Sequence, residues 1–148
     1  MFNRYKEKFS DFTTNGVALK LTDAMLEELI RHKSGEENIQ VSITPHQIVI
    51  SGTKVLKKLF IKKNISFSVV LEPIRIEKRM LVFELISVKP INLNFINNKI
   101  FNNPPFINYD DREVKMDFNS WEIVRSVSVG NIKSFYLYND EIEIRLGL

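Results

Sequence analysis

Residues 59–71, LFIKKNISFSVVL, place an apolar side chain at every odd-numbered position except Lys63. The even-numbered positions hold mainly lysine, asparagine and serine. A period of two is typical of a β-strand that buries one face and exposes the other. The stretch therefore predicts a one-faced strand of about thirteen residues, where five or six are usual.

Several other segments alternate in the same way and are separated by short turn sequences. Strands joined by short turns predict an antiparallel sheet, which we expect to contain about six to eight strands. The segments that carry this pattern are NIQVSIT (38–44), QIVISG (47–52), IRI (74–76), MLVFELISV (80–88), REVKMDF (112–118), WEIVRSVSV (121–129), IKSFYLY (132–138) and EIEIRL (141–146).

One amphipathic helix is predicted over residues 22–33, within LTDAMLEELIRHKSG. Thr22 suits the N-cap position, and Leu21 and Leu26 have the spacing of a hydrophobic staple. The apolar residues that follow recur on one face, and Gly35 can end the helix. The chain therefore combines one early helix with many strands, which is the composition of an α+β fold.

Residues 91–111 combine seven asparagines and two adjacent prolines with large apolar side chains. We interpret this segment as a second short helix near 95–102, ended sharply by Pro104 and Pro105. The full chain is expected to form a single domain over residues 1–148, with residues 1–14 as a less ordered N-terminal arm. A long one-faced sheet twists and curls, so the helices are expected to fill its concave side.

Composition narrows the class of protein. The chain has 148 residues, a net charge of +3 and no cysteine, which rules out disulfides and thiolate metal sites. Residues 1–79 carry 14 Lys and Arg against 9 Asp and Glu, whereas residues 80–148 carry 7 against 9. A mildly basic half favours an anionic surface, but it is much weaker than the charge of a dedicated nucleic-acid binder, so nucleic acid is not an expected partner.

The run KVLKKLFIKK, residues 54–63, has two incompatible periods. As a helix it would carry one apolar stripe opposite lysines, like an element at a membrane surface. As a strand it would continue the alternation of residues 65–71, and this interpretation is favoured. Either way the lysines form a positive patch suited to anionic headgroups, although lysines also protect a solvated sheet edge. The patch consists of Lys54, Lys57, Lys58, Lys62 and Lys63.

Catalytic chemistry has little support in the sequence. His32 falls at a helix end and His46 in a turn, and no histidine pair has metal-ligand spacing. The acidic pair Asp110–Asp111 follows a turn, where acids are ordinary. The pair Glu141/Glu143, beside Arg145, is expected to alternate on the outer face of an edge strand. We therefore predict a protein that is not an enzyme and that needs no cofactor or metal.

The order of elements resembles the small bacterial members of the TULIP (tubular lipid-binding) superfamily over roughly residues 15–146. The segments that carry the resemblance are LTDAMLEELI, IQVSIT, QIVISG, the hairpin IRIEKRMLVFELISVKP, FINNKIFNN and VKMDF, followed by the final pair of strands. The resemblance implies a strongly curved antiparallel sheet wrapped around a helix and enclosing an apolar groove for a lipid.

Two functions follow as expectations from different classes. In the first, the protein binds a lipid or another apolar ligand in a groove between sheet and helix, with the lysine patch on an anionic membrane surface. In the second, the same residues fill the core of a structural or protein-interaction module. The candidate groove residues are Leu26, Leu29, Ile30, Ile65, Phe67, Val69, Phe83, Phe95 and Phe101.

Localisation is predicted from the first residues and from hydropathy. MFNRYKEKFSDF alternates charges with aromatics, and no apolar run approaches the roughly 20 residues of a membrane span. A cytoplasmic or membrane-peripheral protein is therefore expected from the sequence as it stands, or an exported one if an upstream signal was removed.

Overall fold

A computed structural model describes residues 16–89 and 100–148, and it describes Leu56 and Lys58 without their side chains. The predicted N-terminal arm, 1–14, and most of the predicted second helix near 95–102 lie outside these residues. In chain order the elements are β1 (Val17–Thr22), α1 (Asp23–Ser34), β2 (Ile39–Ile43), β3 (Ile48–Lys58), β4 (Ile61–Glu77), β5 (Met80–Lys89), β6 (Ile107–Asp110), β7 (Glu113–Asp117), a 3-10 turn (Phe118–Ser120), α2 (Glu122–Arg125), β8 (Asn131–Tyr138) and β9 (Glu141–Gly147).

The described strands form two antiparallel sheets. One has six strands in the order β2-β3-β4-β5-β7-β6, and the other has three in the order β1-β9-β8. The expected α+β class and the antiparallel pairing are confirmed. The expected single sheet is replaced by two, because the 3-10 turn and α2 interrupt the chain after β7, and β8 then pairs with β9 and not with β7. The strand predicted for WEIVRSVSV (121–129) is wrong, because this segment contains α2 instead.

Helix α1 forms where the capping signals predict it. The Thr22 Oγ1 accepts a hydrogen bond from the backbone N–H of Met25 at 3.2 Å, and Thr22 itself is extended. Gly35 ends the helix in the left-handed region at φ 73°, where its N–H donates to the Arg31 carbonyl. Leu26 and Ile30 are buried, so the predicted apolar stripe is the face that packs on the core.

The stretch 59–71 differs from the single strand predicted for it. Residues 54–63 are strand and not helix, but the chain reverses at Leu59 and Phe60, between β3 and β4. Strand β4 then runs from Ile61 to Glu77 and continues through Pro73. The register shifts between Pro73 and Arg75, and a bulge of this kind accommodates a proline that cannot donate to the ladder.

The core contains buried apolar residues of α1 and of both sheets in one cluster. Leu21 of β1 and Ile142 of β9 belong to it together with Phe83 of β5. Among the described residues, no helix is long and apolar enough to cross a membrane.

Arg79, in the turn between β4 and β5, connects this turn to residues 119–130. Its guanidinium donates hydrogen bonds to the Gly130 carbonyl at 2.8 Å and to the Val127 carbonyl at 2.6 Å. It also donates to the Val124 carbonyl and to the Asn119 Oδ1, both at 3.1 Å. Because one planar group satisfies four acceptors, it holds the chain where it passes from the six-stranded sheet toward β8.

Candidate functional site

A two-stranded ribbon, residues 53–66, extends beyond the rest of the six-stranded sheet. Strand β2 pairs with β3 only as far as Gly52, and β5 pairs with β4 only as far as Ser68. Beyond these points β3 and β4 continue to pair with each other from Thr53–Ser66 to Lys58–Ile61. At about 3.4 Å per residue the ribbon is roughly 20 Å long, and no other described strand pairs with it.

The tip of the ribbon, residues 59–61, is apolar and exposed. Leu59 is 93% exposed, Phe60 104% and Ile61 71%. Single exposed apolar residues are normal on protein surfaces, but three consecutive large ones at the end of a projecting hairpin indicate an interaction site.

The backbone at the tip is left-handed, as it also is at Lys78 in the turn between β4 and β5. Leu59 is the first of the two turn residues and has φ 57°. Two-residue hairpin turns with positive φ at this position favour glycine or asparagine, because a Cβ there meets the following carbonyl. A leucine at this position is less stable than a glycine would be, and its apolar side chain lies in solvent.

Lysines surround the tip. Lys57 and Lys62 face each other in the register of the ribbon, and both are exposed, as is Lys63. Among the residues that the structure describes, no salt bridge involves these three lysines. The ribbon therefore ends in an apolar tip behind which positive charge is concentrated.

The other two lysines of the predicted patch differ from these three. Lys54 lies at the base of the ribbon, where its Nζ is 2.6 Å from the Glu36 Oε1. Its charge is therefore paired within the protein. The backbone of Lys58 forms the last pair of the ribbon with Ile61, while its side chain lies outside the described part of the structure.

Most of the predicted groove residues lie in the core cluster. This group consists of Leu26, Ile30, Phe67, Val69, Phe83 and Phe101, each 7% exposed or less. Leu29 packs against the cluster while partly exposed. Ile65 lies on the ribbon opposite Lys54 and is half-buried, and Phe95 lies outside the described residues.

A shallow apolar pocket lies beside α1, with a volume of about 420 Å³. Met25 and Leu29 line it together with Trp121, and Glu28 and His32 form its polar margin. The Trp121 ring is held edge-on by Phe118, with 5.0 Å between ring centroids. Its buried Nε1 has no hydrogen-bond acceptor among the described residues.

A second, more polar pocket of about 550 Å³ lies at the base of the ribbon, between α1 and the edge of β2 and β3. Arg31 lines it, but its Nε and Nη2 donate to the Ile39 carbonyl at 3.1 and 2.8 Å. The guanidinium is therefore engaged in a contact within the protein. Gly52 also lines this pocket. A side chain is excluded at this position, because a Cβ there would lie 2.0 Å from the Asn38 carbonyl oxygen. Close packing of two backbones, and not a ligand, accounts for that glycine.

The candidate catalytic groups do not come together. His32 and His46 are exposed, and so are Asp110 at the end of β6 and Asp111 in the turn that follows it. No group of three or more potential metal ligands occurs among the described residues.

Glu141 and Glu143 alternate along β9, but the prediction that this is an edge strand is wrong, because β9 pairs with β1 on one side and with β8 on the other. The Tyr138 hydroxyl donates to the Glu143 Oε2 at 3.1 Å, and this hydrogen bond raises the pKa of Tyr138. The Nη2 of Arg145 is 3.9 Å from the Glu143 Oε1. These are contacts along and between neighbouring strands.

The exposed tip was not predicted, although the sequence contains a signal for it. In KKLFIKK, residues 57–63, paired lysines stand symmetrically about three apolar residues. In the hairpin that forms, Lys57 lies opposite Lys62, while Lys58 pairs with Ile61 and Lys63 with Leu56, so lysines of both strands flank the apolar tip. The turn was missed because neither Leu59 nor Phe60 is a turn-forming residue.

No protein-family model, curated protein or solved structure matches this chain. The resemblance to TULIP proteins therefore stays an expectation from element order, and the candidate function rests on the geometry of the ribbon and the pockets.

Proposed function

We propose that this protein is a non-catalytic binding module that attaches to an anionic lipid surface through the β3–β4 ribbon. The observation that carries the proposal is the exposed tip, Leu59, Phe60 and Ile61, with the exposed lysines Lys57, Lys62 and Lys63 adjoining it. Each lysine near an anionic surface contributes about 1 kcal/mol, so three contribute about 3 kcal/mol at low salt. Desolvation of the apolar tip adds to this attraction.

The test is sedimentation with vesicles. We expect the protein to sediment with vesicles of equal parts phosphatidylcholine and phosphatidylglycerol, and to stay in the supernatant with phosphatidylcholine alone. Because the lysine contribution is screened by salt, binding should weaken as the ionic strength rises from about 0.05 to about 0.5 M. Equal binding to both vesicles, or none to either, would contradict the proposal.

A matched pair of double variants distinguishes the contribution of the ribbon lysines to vesicle binding from a general effect of net charge. Lys62→Gln/Lys63→Gln removes two charges beside the tip, and Lys20→Gln/Lys133→Gln removes two from exposed lysines of β1 and β8. We expect the first variant to lose at least about tenfold in vesicle affinity, since about 1.4 kcal/mol corresponds to that factor. The second should bind nearly as well as the natural chain.

A second candidate function is the binding of an apolar ligand, such as an acyl chain, between α1 and its surroundings. The apolar pocket of Met25, Leu29 and Trp121 favours it. In this proposal the six-stranded sheet curves around α1, as in the TULIP proteins that the sequence resembles, and each buried methylene contributes about 0.8 kcal/mol.

Organic extraction of the purified native protein, followed by mass spectrometry, tests this second candidate. A lipid recovered in stoichiometric amount supports it. A clean extract, together with no uptake of added lipid or of a hydrophobic dye, contradicts it. That result would favour the interaction module with a filled core, in agreement with the burial of most predicted groove residues.

A further inference from the structure

We infer that residues 59–61 are a wedge that enters the hydrocarbon layer of an anionic membrane, with the ribbon standing end-on to the surface. This inference rests on the proposed function and deepens it, because it states which atoms leave water and how far they go. Adsorption of the lysines alone would leave the tip in the headgroup region.

The apolar side chains of the tip lie in solvent. Phe60 is as exposed as a free side chain, and Leu59 nearly so, so neither is used to stabilise the fold. An apolar group that contributes nothing to its own core gains free energy only when another apolar phase covers it. The ribbon presents these groups at its end, where a planar surface reaches them before the body of the protein.

Leu59, the first residue of the turn, has a left-handed backbone. At φ 57° a glycine would be more stable than a leucine. Lys78 is left-handed too, at φ 55° in the turn between β4 and β5, so it is the exposed apolar side chain of Leu59 that distinguishes the tip. At this position the leucine side chain adds apolar surface to the tip and makes no contribution to the core cluster.

The position of the lysines selects a lipid layer over a protein pocket. Lys57 and Lys62 each lie two residues from the turn, which is about 7 Å along an extended strand. Interfacial apolar elements are buried roughly 5–10 Å into the headgroup and acyl boundary. A tip inserted to that depth would therefore bring the ammonium groups to the level of the phosphates, where negative charge complements them.

The experiment uses the absence of cysteine from the sequence. Phe60→Cys, labelled with an environment-sensitive nitrobenzoxadiazole dye, reports on the tip. Asn139→Cys reports on the exposed turn between β8 and β9. The backbone N–H of Asp140 in this turn donates to the Ile43 carbonyl, and Ile43 pairs with Ile48, the first residue of β3. The turn therefore lies at the end of β3 opposite to the tip. Both proteins are mixed with vesicles of equal parts phosphatidylcholine and phosphatidylglycerol that carry a spin label in the acyl chain.

We expect the emission of the tip label to shift to the blue and to be quenched by the acyl-chain spin label. The label at residue 139 should show neither effect. The unlabelled variant Phe60→Ser should lose at least about tenfold in vesicle affinity, which corresponds to about 1.4 kcal/mol. Its circular dichroism should be unchanged, since Phe60 contributes to no packing in the described structure.

Failures of the two proposals give different results. Sedimentation with anionic vesicles while the tip label stays in water would overturn the wedge and leave surface attachment intact. No sedimentation would overturn both. A blue shift of the tip label that needs no lipid and grows with protein concentration would show that a second copy of the chain covers the tip, and it would also overturn the wedge.

Discussion

Lys57 of β3 lies directly opposite Lys62 of β4, one pair behind the end of the ribbon. Like charges in directly opposed positions destabilise an antiparallel pair. The two ammonium groups beside the apolar tip therefore reduce the stability of the ribbon slightly. Stability and the proposed binding are opposed at this point, and they can be measured separately.

Lys62→Glu should separate them. The new carboxylate would face Lys57 and form an opposite-charge pair, so we expect the free energy of unfolding to rise by roughly 0.2–1 kcal/mol. Affinity for anionic vesicles should fall at the same time. Urea denaturation and vesicle sedimentation measure the two effects. Lys133→Glu, an equal charge change on exposed β8, is the control and should leave the vesicle affinity nearly unchanged.

Leu59→Gly tests the strain at the turn. Since glycine adopts positive φ without a steric cost, the variant should unfold with a free energy higher by up to about 1 kcal/mol. The matched control is Val55→Gly on the same ribbon, where the extended backbone gives glycine no advantage and a loss of about 0.5–1 kcal/mol is expected. Urea denaturation compares them, and equal changes in both variants would contradict the assignment of strain to Leu59.

Arg79→Ala should be strongly destabilising. Its guanidinium donates to Asn119 and to three backbone carbonyls, of Val124, Val127 and Gly130. Loss of a charged donor leaves partly buried acceptors unpaired, and we expect a decrease of about 2–3 kcal/mol in the free energy of unfolding. Arg79→Lys should recover less than half of it, because an ammonium cannot reach acceptors spread around a planar fork.

The control for Arg79 is Arg125→Ala, which removes an exposed guanidinium that donates to the Asn119 carbonyl. Its cost should stay within about 0.5 kcal/mol, as for most surface substitutions. Chemical denaturation followed by the fluorescence of the single tryptophan, Trp121, measures all three variants. Comparable losses for Arg79→Ala and Arg125→Ala would refute the role assigned to Arg79.

Acid should weaken the fold through a charged ladder on the six-stranded sheet. A hydrogen bond from Lys115, and then one from Arg75, lowers the pKa of Glu77 below its ordinary value of 4.5. The hydrogen bond from Arg75 likewise lowers the pKa of Glu113. Because these pKa values are lower in the folded than in the unfolded chain, the stabilisation is complete above about pH 4.5 and is lost as the pH falls through the folded values.

Arg75→Gln should make unfolding less sensitive to pH in that acid range. Glu113 loses the guanidinium that donates to it, at 2.8 Å for the Nη2 bond, so its pKa should return toward the ordinary value. Urea denaturation at several pH values below 5 measures the slope, and NMR titration of the two carboxyls locates its source. An acid slope unchanged from the natural chain would show that the pairing of Glu113 with Arg75 is not responsible for it.

The sequence predicted helix α1 of the fold, but it did not predict the turn that forms the candidate site. Helix α1 was predicted to within one residue, because Thr22 and Gly35 act through hydrogen bonds to residues three or four positions away. The reversal at Leu59 and Phe60 was missed, because the local sequence disfavours a turn there. The pairing of β4 with β3 along the whole length of β3 makes that turn despite the strain.

The sequence by itself determined the elements whose causes are local: the caps and apolar stripe of α1, and the period of two that assigns one face of each strand to the core. Only the tertiary structure decided which of those apolar faces is covered. Phe67 and Ile65 occupy equivalent positions in the alternation, yet Phe67 is buried at 5% exposure, while Ile65 lies outside the core cluster. The reason is that β2 ends opposite Gly52, the partner of Phe67, so Ile65 lies on the free ribbon. Where a neighbouring strand ends depends on residues distant in the sequence, and this decides whether an apolar face becomes core or surface.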